Sequence, residues 1–142
     1  MKIKIYVILF FLMLAVLSAF NSANHTTFLI SPELKGSWKV VRLYGHKKDT
    51  LLSSLRIHMI IEEGGISNGF MGCNKFRTDC TVKQDSIFFG TITSTRKFCT
   101  KEYMDVEDQF RYALQNTNRY KIHKQQLYLL NGSKKLVAFT KE

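Results

Sequence analysis

Three cysteines and four histidines are the residues of this sequence that could ligate a metal or act as a nucleophile. They are Cys73, Cys80, Cys99, His25, His46, His58 and His123. A structural zinc site draws its ligands in close pairs such as C-x-x-C or H-x-x-x-H, and no such pair occurs. A catalytic cysteine needs a base and an orienting group beside it. The sequence also has no P-loop, dinucleotide fingerprint or nucleophile elbow, so we expect no metal site, no cofactor and no catalytic residue.

Length and composition indicate one basic globular domain. The chain has 142 residues, a formal charge of +10, 13% aromatic residues, one Pro and 8 Gly. Its aromatic content is too high for a disordered chain, and its few Gly, Pro and Cys residues exclude collagen-like and disulfide-dense scaffolds.

The first 23 residues have the layout of a secretory signal peptide. Lys2 and Lys4 precede an uncharged run, 5–19, and small residues follow it. The run of about 15 residues is shorter than the roughly 20 that span a bilayer. We expect cleavage after Ala19 or Ala23, which makes the protein periplasmic or secreted. If the segment is retained, it is an N-terminal membrane anchor. No Cys precedes Cys73, so no lipid anchor is expected.

After a polar lead-in, 24–33, most of the chain predicts short antiparallel strands. Runs that alternate apolar and polar residues, or that are apolar throughout, are separated by residues typical of turns. We expect Gly64-Gly65 to form a type I′ hairpin turn and Asn131-Gly132 to form the turn of a second hairpin. Residues 45–54 are expected to form a polar loop. The predicted strands are 37–43, 56–62, 66–70, 76–82, 86–92, 120–124, 126–130 and 135–140.

One segment, 101–117, has helical periodicity. Its apolar stripe consists of Val106, Phe110, Ala113, Leu114 and Thr117, and Thr100 is suited to the N-cap. Acidic residues lie in its first half, where the helix dipole favours them. The expected fold is α+β: a strongly curved antiparallel sheet or partly closed barrel of about seven to eight strands with one helix.

Three short motifs occur in order along the chain. The first contains Gly36 and Trp38, the second Gly72, Cys73, Asn74 and Phe76, and the third Thr95 and Cys99. In order and spacing they resemble the META or HslJ-like domain family of bacterial envelope proteins, over residues 34–142. The resemblance implies a small domain of antiparallel strands with one helix, no cofactor, no established catalytic activity and an association with heat or antibiotic stress.

The odd number of cysteines leaves three single-bridge pairings open on the residues alone. The resemblance places Cys73 and Cys99 at the same end of the fold, and export implies an oxidising compartment. On that ground we expect a Cys73–Cys99 disulfide and an unpaired Cys80. For Gly72-Cys73-Asn74 the two interpretations are a ligand-binding bend and a structural corner in which Asn74 caps loop backbone.

Basic side chains gather near the C-terminal hairpins and predict a cationic patch on one edge of the sheet. Its members are Arg119, Lys121, Lys124, Lys134 and Lys135. Outside the cytoplasm the expected partner is an envelope protein or an anionic envelope surface rather than nucleic acid. The alternative is a solvated surface that aids solubility.

The sequence therefore predicts an exported, non-enzymatic envelope protein that acts by binding and contributes to stress tolerance. The alternative is a small carrier that encloses a lipid or other apolar ligand, with residues 87–89 and 127–130 lining its interior. A third hypothesis is a hydrolase or redox protein that uses one of the three cysteines.

Overall fold

The computed structural model describes residues 30–45, 49–51 and 56–142, so the predicted signal segment lies outside the described residues. These residues form ten strands and one helix. The strands are β1 (Gly36–Tyr44), β2 (Asp49–Leu51), β3 (His58–Ile61), β4 (Ile66–Phe70), β5 (Lys75–Lys83), β6 (Ser86–Phe89), β7 (Thr93–Ser94), β8 (Arg119–His123), β9 (Gln126–Asn131) and β10 (Lys134–Lys141), and the helix is α1 (Lys101–Asn116).

The strands pair in a closed ring. Its order is β10, β9, β8, β6, β5, β4, β3 and β1, and β1 pairs in turn with β10. All of these pairs are antiparallel, while β2 adds to β1 and β7 adds to β5. The predicted class, a strongly curved antiparallel sheet with one helix, is confirmed.

Side chains from the inner faces of the strands and from α1 fill the ring. Met59 and Ile61 are buried as the period-2 pattern predicted, and Phe110 of α1 is fully buried. The Phe110 ring lies edge-on to Phe76 and Phe139, at centroid distances of 5.7 and 6.2 Å. This geometry is favourable for aromatic pairs, so α1 is packed into the core of the sheet.

A β-bulge corrects the predicted alternation of β1. Trp38 and Val40 face the core, but the next buried residue is Leu43, and Arg42 is exposed. The register of β1 against β10 shifts between Val40 and Arg42. One extra residue there changes the face of every later side chain, which is how a bulge sends a basic residue to solvent.

The turn after β3 differs from the type I′ turn predicted for Gly64-Gly65. Of the two glycines only Gly65 has a positive φ, 73°. The amide of Gly65 donates to the carbonyl of Glu62 (3.2 Å), and that of Glu62 donates to the carbonyl of Ile66 (2.8 Å). This is the three-residue hairpin loop that ends in a left-handed residue. A Cβ on Gly65 would lie 2.8 Å from the Cys80 carbonyl oxygen. Both the positive φ and this close approach therefore require glycine at position 65.

Other boundaries shift for local reasons. The predicted loop 45–54 contains the short strand β2, and residues 46–48 and 52–54 of that loop lie outside the described residues. The strand predicted to reach residue 92 ends at Phe89, where the Gly90 amide donates to the Asp79 carbonyl (2.9 Å) and the chain returns to β5 as β7.

In the part of the chain that is described, no helix has the length and apolar character needed to cross a membrane.

The helix begins and ends almost where its pattern predicts. Thr100 occupies the N-cap position, although its side chain makes no capping hydrogen bond. Thr117 is the C-cap residue rather than the last helical residue. Its hydroxyl donates to the carbonyl of Ala113 at 2.7 Å, which satisfies one of the carbonyls left free at a helix end.

Candidate functional site

The second motif forms the corner between β4 and β5. Gly72 has a φ of 111°, a conformation that L side chains rarely adopt. The amide of Met71 donates to the carbonyl of Asn74 at 2.8 Å and closes the corner. Cys73 and Asn74 are both buried there.

Asn74 connects this corner to the third motif. Its Oδ1 accepts hydrogen bonds from the Lys97 amide (2.8 Å) and the Thr95 hydroxyl (2.7 Å), and its Nδ2 donates to the Lys97 carbonyl (3.2 Å). The Lys75 amide donates to Thr95 Oγ1 at 3.2 Å. The Asn74 side chain thus caps the backbone of the loop before α1.

Glu107 of α1 closes the cluster from the other side. It is only 4% exposed, and its carboxylate accepts hydrogen bonds from the backbone amide of Asn74 (2.8 Å) and from Nδ2 (3.0 Å). Arg111, one turn later, pairs with it at 3.2 Å and also donates to the Ser94 hydroxyl at 3.0 Å. Glu107 was not predicted as a site residue, because its position in the first half of the helix is also explained by the helix dipole. The spacing of Glu107 and Arg111, i and i+4, was the available signal.

A disulfide completes this cluster, which we call the Asn74 junction: Cys73, Asn74, Thr95, Lys97, Cys99, Glu107 and Arg111. The predicted bond between Cys73 and Cys99 is present, with the Cα atoms 6.0 Å apart and a sequence separation of 26. The disulfide and three hydrogen bonds of the Asn74 side chain therefore hold the loop between β7 and α1 against the β4–β5 corner. The polar atoms of Asn74 are all directed at protein groups, which matches the structural interpretation.

The remaining motif residues also pack or bond internally. Gly36 begins β1 with a φ of 112°. The indole Nε1 of Trp38 donates to the carbonyl of Leu34 at 2.8 Å, and Lys141 Nζ lies 4.7 Å from the Trp38 ring centroid. Lys141 also donates to the carbonyls of Glu33 and Lys35 at 3.0 and 2.7 Å. Lys141, which the sequence grouped with the basic residues of the C-terminal hairpin, is therefore bound within the fold.

The third cysteine is separate from the junction. Cys80 on β5 is free and 4% exposed. Its burial raises the pKa of the thiol to about 12, so the thiol stays protonated and unreactive at neutral pH. Across the described part of the chain, no three His, Cys, Asp or Glu side chains are grouped as metal ligands would be.

The residues of the predicted cationic patch lie on β8, on β10 and in the turn after β8, and only some of them converge. Lys121 and Lys135 line one surface groove with His123, Tyr128 and Leu130, with a volume of about 270 Å³. Arg119 forms an ion pair with Asp85 instead. Lys124, with a φ of 55°, lies in the turn between β8 and β9, and Lys134 begins β10.

Strand register explains why the groove residues meet. Lys121 lies opposite Tyr128, and Leu130 lies opposite Lys135. Directly opposed residues share one face of a sheet. Lys135 Nζ lies 4.2 Å from the Tyr128 ring centroid, a cation–π contact that holds the lysine over the groove. We call the groove residues Lys121, His123, Tyr128, Leu130 and Lys135 the basic face.

Comparison with known proteins gives the family. The META domain profile matches residues 32–142, which is most of the chain. An NMR structure of a protein from Burkholderia xenovorans is similar, with a TM-score of 0.64 and 20% identity over 77% of this chain and 83% of that one. A crystal structure of a DUF4847 family protein from Bacteroides vulgatus has a TM-score of 0.57 and 15% identity over 78% of this chain and 95% of that one. No curated protein sequence matches. The two structures share the fold, and the profile match shows that the chain belongs to the META domain family.

Proposed function

We propose that this META domain is exported and works without catalysis, by binding an anionic component of the cell envelope on the basic face. One observation carries the proposal. Two lysines from different strands converge on a groove that also holds a histidine, a tyrosine and a leucine, and none of these five lining residues is acidic.

The chemistry of the groove favours a partner that carries phosphate or carboxylate groups. The ammonium groups of Lys121 and Lys135 attract anions as point charges, and the Tyr128 ring restricts Lys135 before any ligand binds. The Tyr128 hydroxyl donates to Gln126, and Leu130 supplies an apolar floor. Attraction of this kind weakens with salt, because the groups face solvent.

The other functions considered lack comparable support. The polar atoms of Asn74 bond to protein groups, and Cys80 is buried and protonated, so neither motif nor free thiol offers a reactive group. The interior that an apolar-ligand carrier would need is occupied by Phe110, Phe139 and their neighbours in one packed cluster. These observations argue against an enzyme and against the carrier.

The binding proposal is tested by capture from envelope extract. Immobilised wild-type protein should retain an anionic component at 0.05 M salt and release it at 0.5 M, roughly where surface charge is strongly screened. Lys121→Gln should weaken capture, whereas Lys83→Gln, which removes the same charge from an exposed strand position outside the groove, should not. Equal capture by wild type and Lys121→Gln would contradict the assignment to this face.

Export and the stress role need tests of their own. Mass spectrometry of the protein from an envelope fraction should give a mature chain that begins at residue 20 or 24, and a full-length chain would indicate a retained anchor. A deletion strain should lose tolerance to heat or envelope-active antibiotics. Unchanged tolerance would contradict the stress role and leave the binding proposal to the capture experiment.

A further inference from the structure

The loop before α1 presents an apolar ring to solvent. Phe98 is 97% exposed, compared with 53% for Phe88, the next most exposed large apolar side chain described. A single exposed apolar residue is ordinary on a protein surface, so the exposure alone carries no conclusion. What distinguishes Phe98 is the way that its backbone is held and the charges that flank it.

The backbone on both sides of Phe98 is fixed. The preceding residue, Lys97, exchanges two hydrogen bonds with the Asn74 side chain, at 2.8 and 3.2 Å. The following residue, Cys99, is bonded to Cys73. The phenyl ring therefore projects from a pre-organised loop and needs no ordering of the backbone when it binds, which lowers the entropic cost of association.

Basic residues flank Phe98 in the sequence and on the adjoining strand. Arg96, Lys97 and Lys101 are exposed beside it in sequence. Exposed Lys75 and Arg77 of β5 join them, because the Thr95 amide donates to the Lys75 carbonyl (3.1 Å) and Arg77 lies opposite Thr93. Glu102 is the one acid within four residues of Phe98 in the sequence, and Asp105 pairs with Lys101 at 3.4 Å. Tyr103, 42% exposed, adds a second aromatic ring in the first turn of α1.

We propose that the loop 95–99 is an interfacial anchor that inserts Phe98 among the headgroups of an anionic lipid bilayer, with the neighbouring Arg and Lys side chains contacting lipid phosphates. An aromatic ring at the headgroup level with nearby cations is the arrangement by which peripheral proteins hold a membrane surface. A protein partner would need a contact of about 800 Å² on each side, far more than one phenyl ring supplies. This surface is distinct from the basic face, so it adds a second contact to the proposed function.

Vesicle sedimentation tests the anchor on the folded protein. Wild type should bind vesicles of phosphatidylglycerol and phosphatidylcholine and should not bind phosphatidylcholine alone. Phe98→Ser should weaken binding roughly tenfold, the loss expected when most of a buried phenyl contribution is removed. Arg96→Gln and Lys97→Gln should each weaken binding roughly fivefold, as expected for one cation near an anionic surface.

Matched control variants distinguish insertion of the Phe98 ring from electrostatic attraction of the whole protein to the vesicle. Phe88→Ser removes another exposed phenyl and should leave vesicle binding within about twofold of wild type. A Phe98→Trp variant should show a blue-shifted emission component on anionic vesicles, and Phe88→Trp should not. Both Phe98 variants should keep the wild-type unfolding midpoint, because the ring makes almost no contact with the fold.

Three results would overturn the anchor. They are vesicle binding by Phe98→Ser at wild-type strength, an unshifted Phe98→Trp emission, and a wild type that binds no vesicles while Phe98→Ser loses a protein partner. If vesicle binding depends on Lys121 but not on Phe98, the anchor is wrong and the basic face remains supported. If Lys121→Gln changes neither capture nor vesicle binding while Phe98→Ser lowers the latter, the anchor stands and the assignment to the basic face fails.

Discussion

The Asn74 junction and the basic face have opposite designs. In the junction the buried Asn74 amide and the buried Glu107 carboxylate are hydrogen-bonded to each other. Together with the disulfide they connect the β4–β5 corner, α1 and the loop that precedes α1. On the basic face two lysines from β8 and β10 line an open groove, and Lys135 lies over the Tyr128 ring. The side chains of the junction therefore bond to one another, whereas the basic face is the surface on which we propose that a partner binds.

This difference explains what the recognisable motifs encode. G-x-W, G-C-N and T-x-x-x-C mark positions where a positive φ, a buried hydrogen bond or a disulfide allows few other residues. Such positions are identifiable because the fold constrains them. Surface lysines are not constrained in this way, so a binding surface on this fold is visible only after the strands have been placed in register.

The largest effect should come from the junction carboxylate. Glu107→Ala removes the buried carboxylate that accepts hydrogen bonds from the Asn74 backbone amide, from Asn74 Nδ2 and from Arg111. We expect a loss of roughly 3 to 5 kcal/mol in the free energy of unfolding, measured by urea denaturation. Asp108→Ala removes the neighbouring exposed acid and should change the free energy of unfolding by less than about 0.5 kcal/mol. Equal effects would show that Glu107 is not the central partner of the junction.

Removal of the disulfide should follow in size. The Cys73→Ser/Cys99→Ser double variant opens a loop with a sequence separation of 26 and should lose about 3 kcal/mol in the same assay. Reducing agent should destabilise wild type by a similar amount and leave the double variant unchanged. A wild type that is insensitive to reductant would mean that the bond contributes nothing to the fold.

The thiol of Cys80 should have a smaller, pH-dependent effect on the free energy of unfolding. The pKa of Cys80 is raised to about 12 in the folded protein, above its value of about 8.5 in an unfolded chain. Between these values the unfolded state releases the proton and the folded state keeps it, so stability falls as pH rises above about 9. We expect the unfolding free energy of wild type to fall about 1 kcal/mol more than that of Cys80→Ala between pH 9 and pH 10. Parallel pH profiles would contradict the burial of this thiol.

On the basic face a single charge should alter binding and leave stability unchanged. Lys121→Gln should weaken capture of the anionic component roughly fivefold, from about 1 kcal/mol per cation near an anionic surface. Its unfolding midpoint should match that of wild type, since Lys121 is exposed. Lys83→Gln serves as the control for charge alone. A shifted midpoint for Lys121→Gln would mean that the face is structural, like the junction.

Much of the fold followed from local patterns, and the exceptions have physical causes. Period-2 runs placed most strands within two residues, and the helical stripe placed Phe110 in the core. The bulge in β1 and the turn at Gly65 were missed because both depend on pairing with a strand distant in sequence. Glu107 was missed because its partner, Asn74, is also distant in sequence. The basic residues were identified, but which of them converge was set by strand register and by the Arg119–Asp85 ion pair.

The central claim is that the basic face binds the partner and the Asn74 junction stabilises the fold. The most direct test measures both capture and stability for each of two variants. Lys121→Gln/Lys135→Gln should lose roughly 25-fold in capture at 0.05 M salt, at fivefold per charge, with an unchanged unfolding midpoint. Thr95→Val, which removes a hydroxyl bonded to Asn74, should lower the midpoint and leave capture by the folded protein unchanged. Capture that survives loss of both lysines, but is abolished in folded Thr95→Val, would place the binding site at the junction and contradict this account.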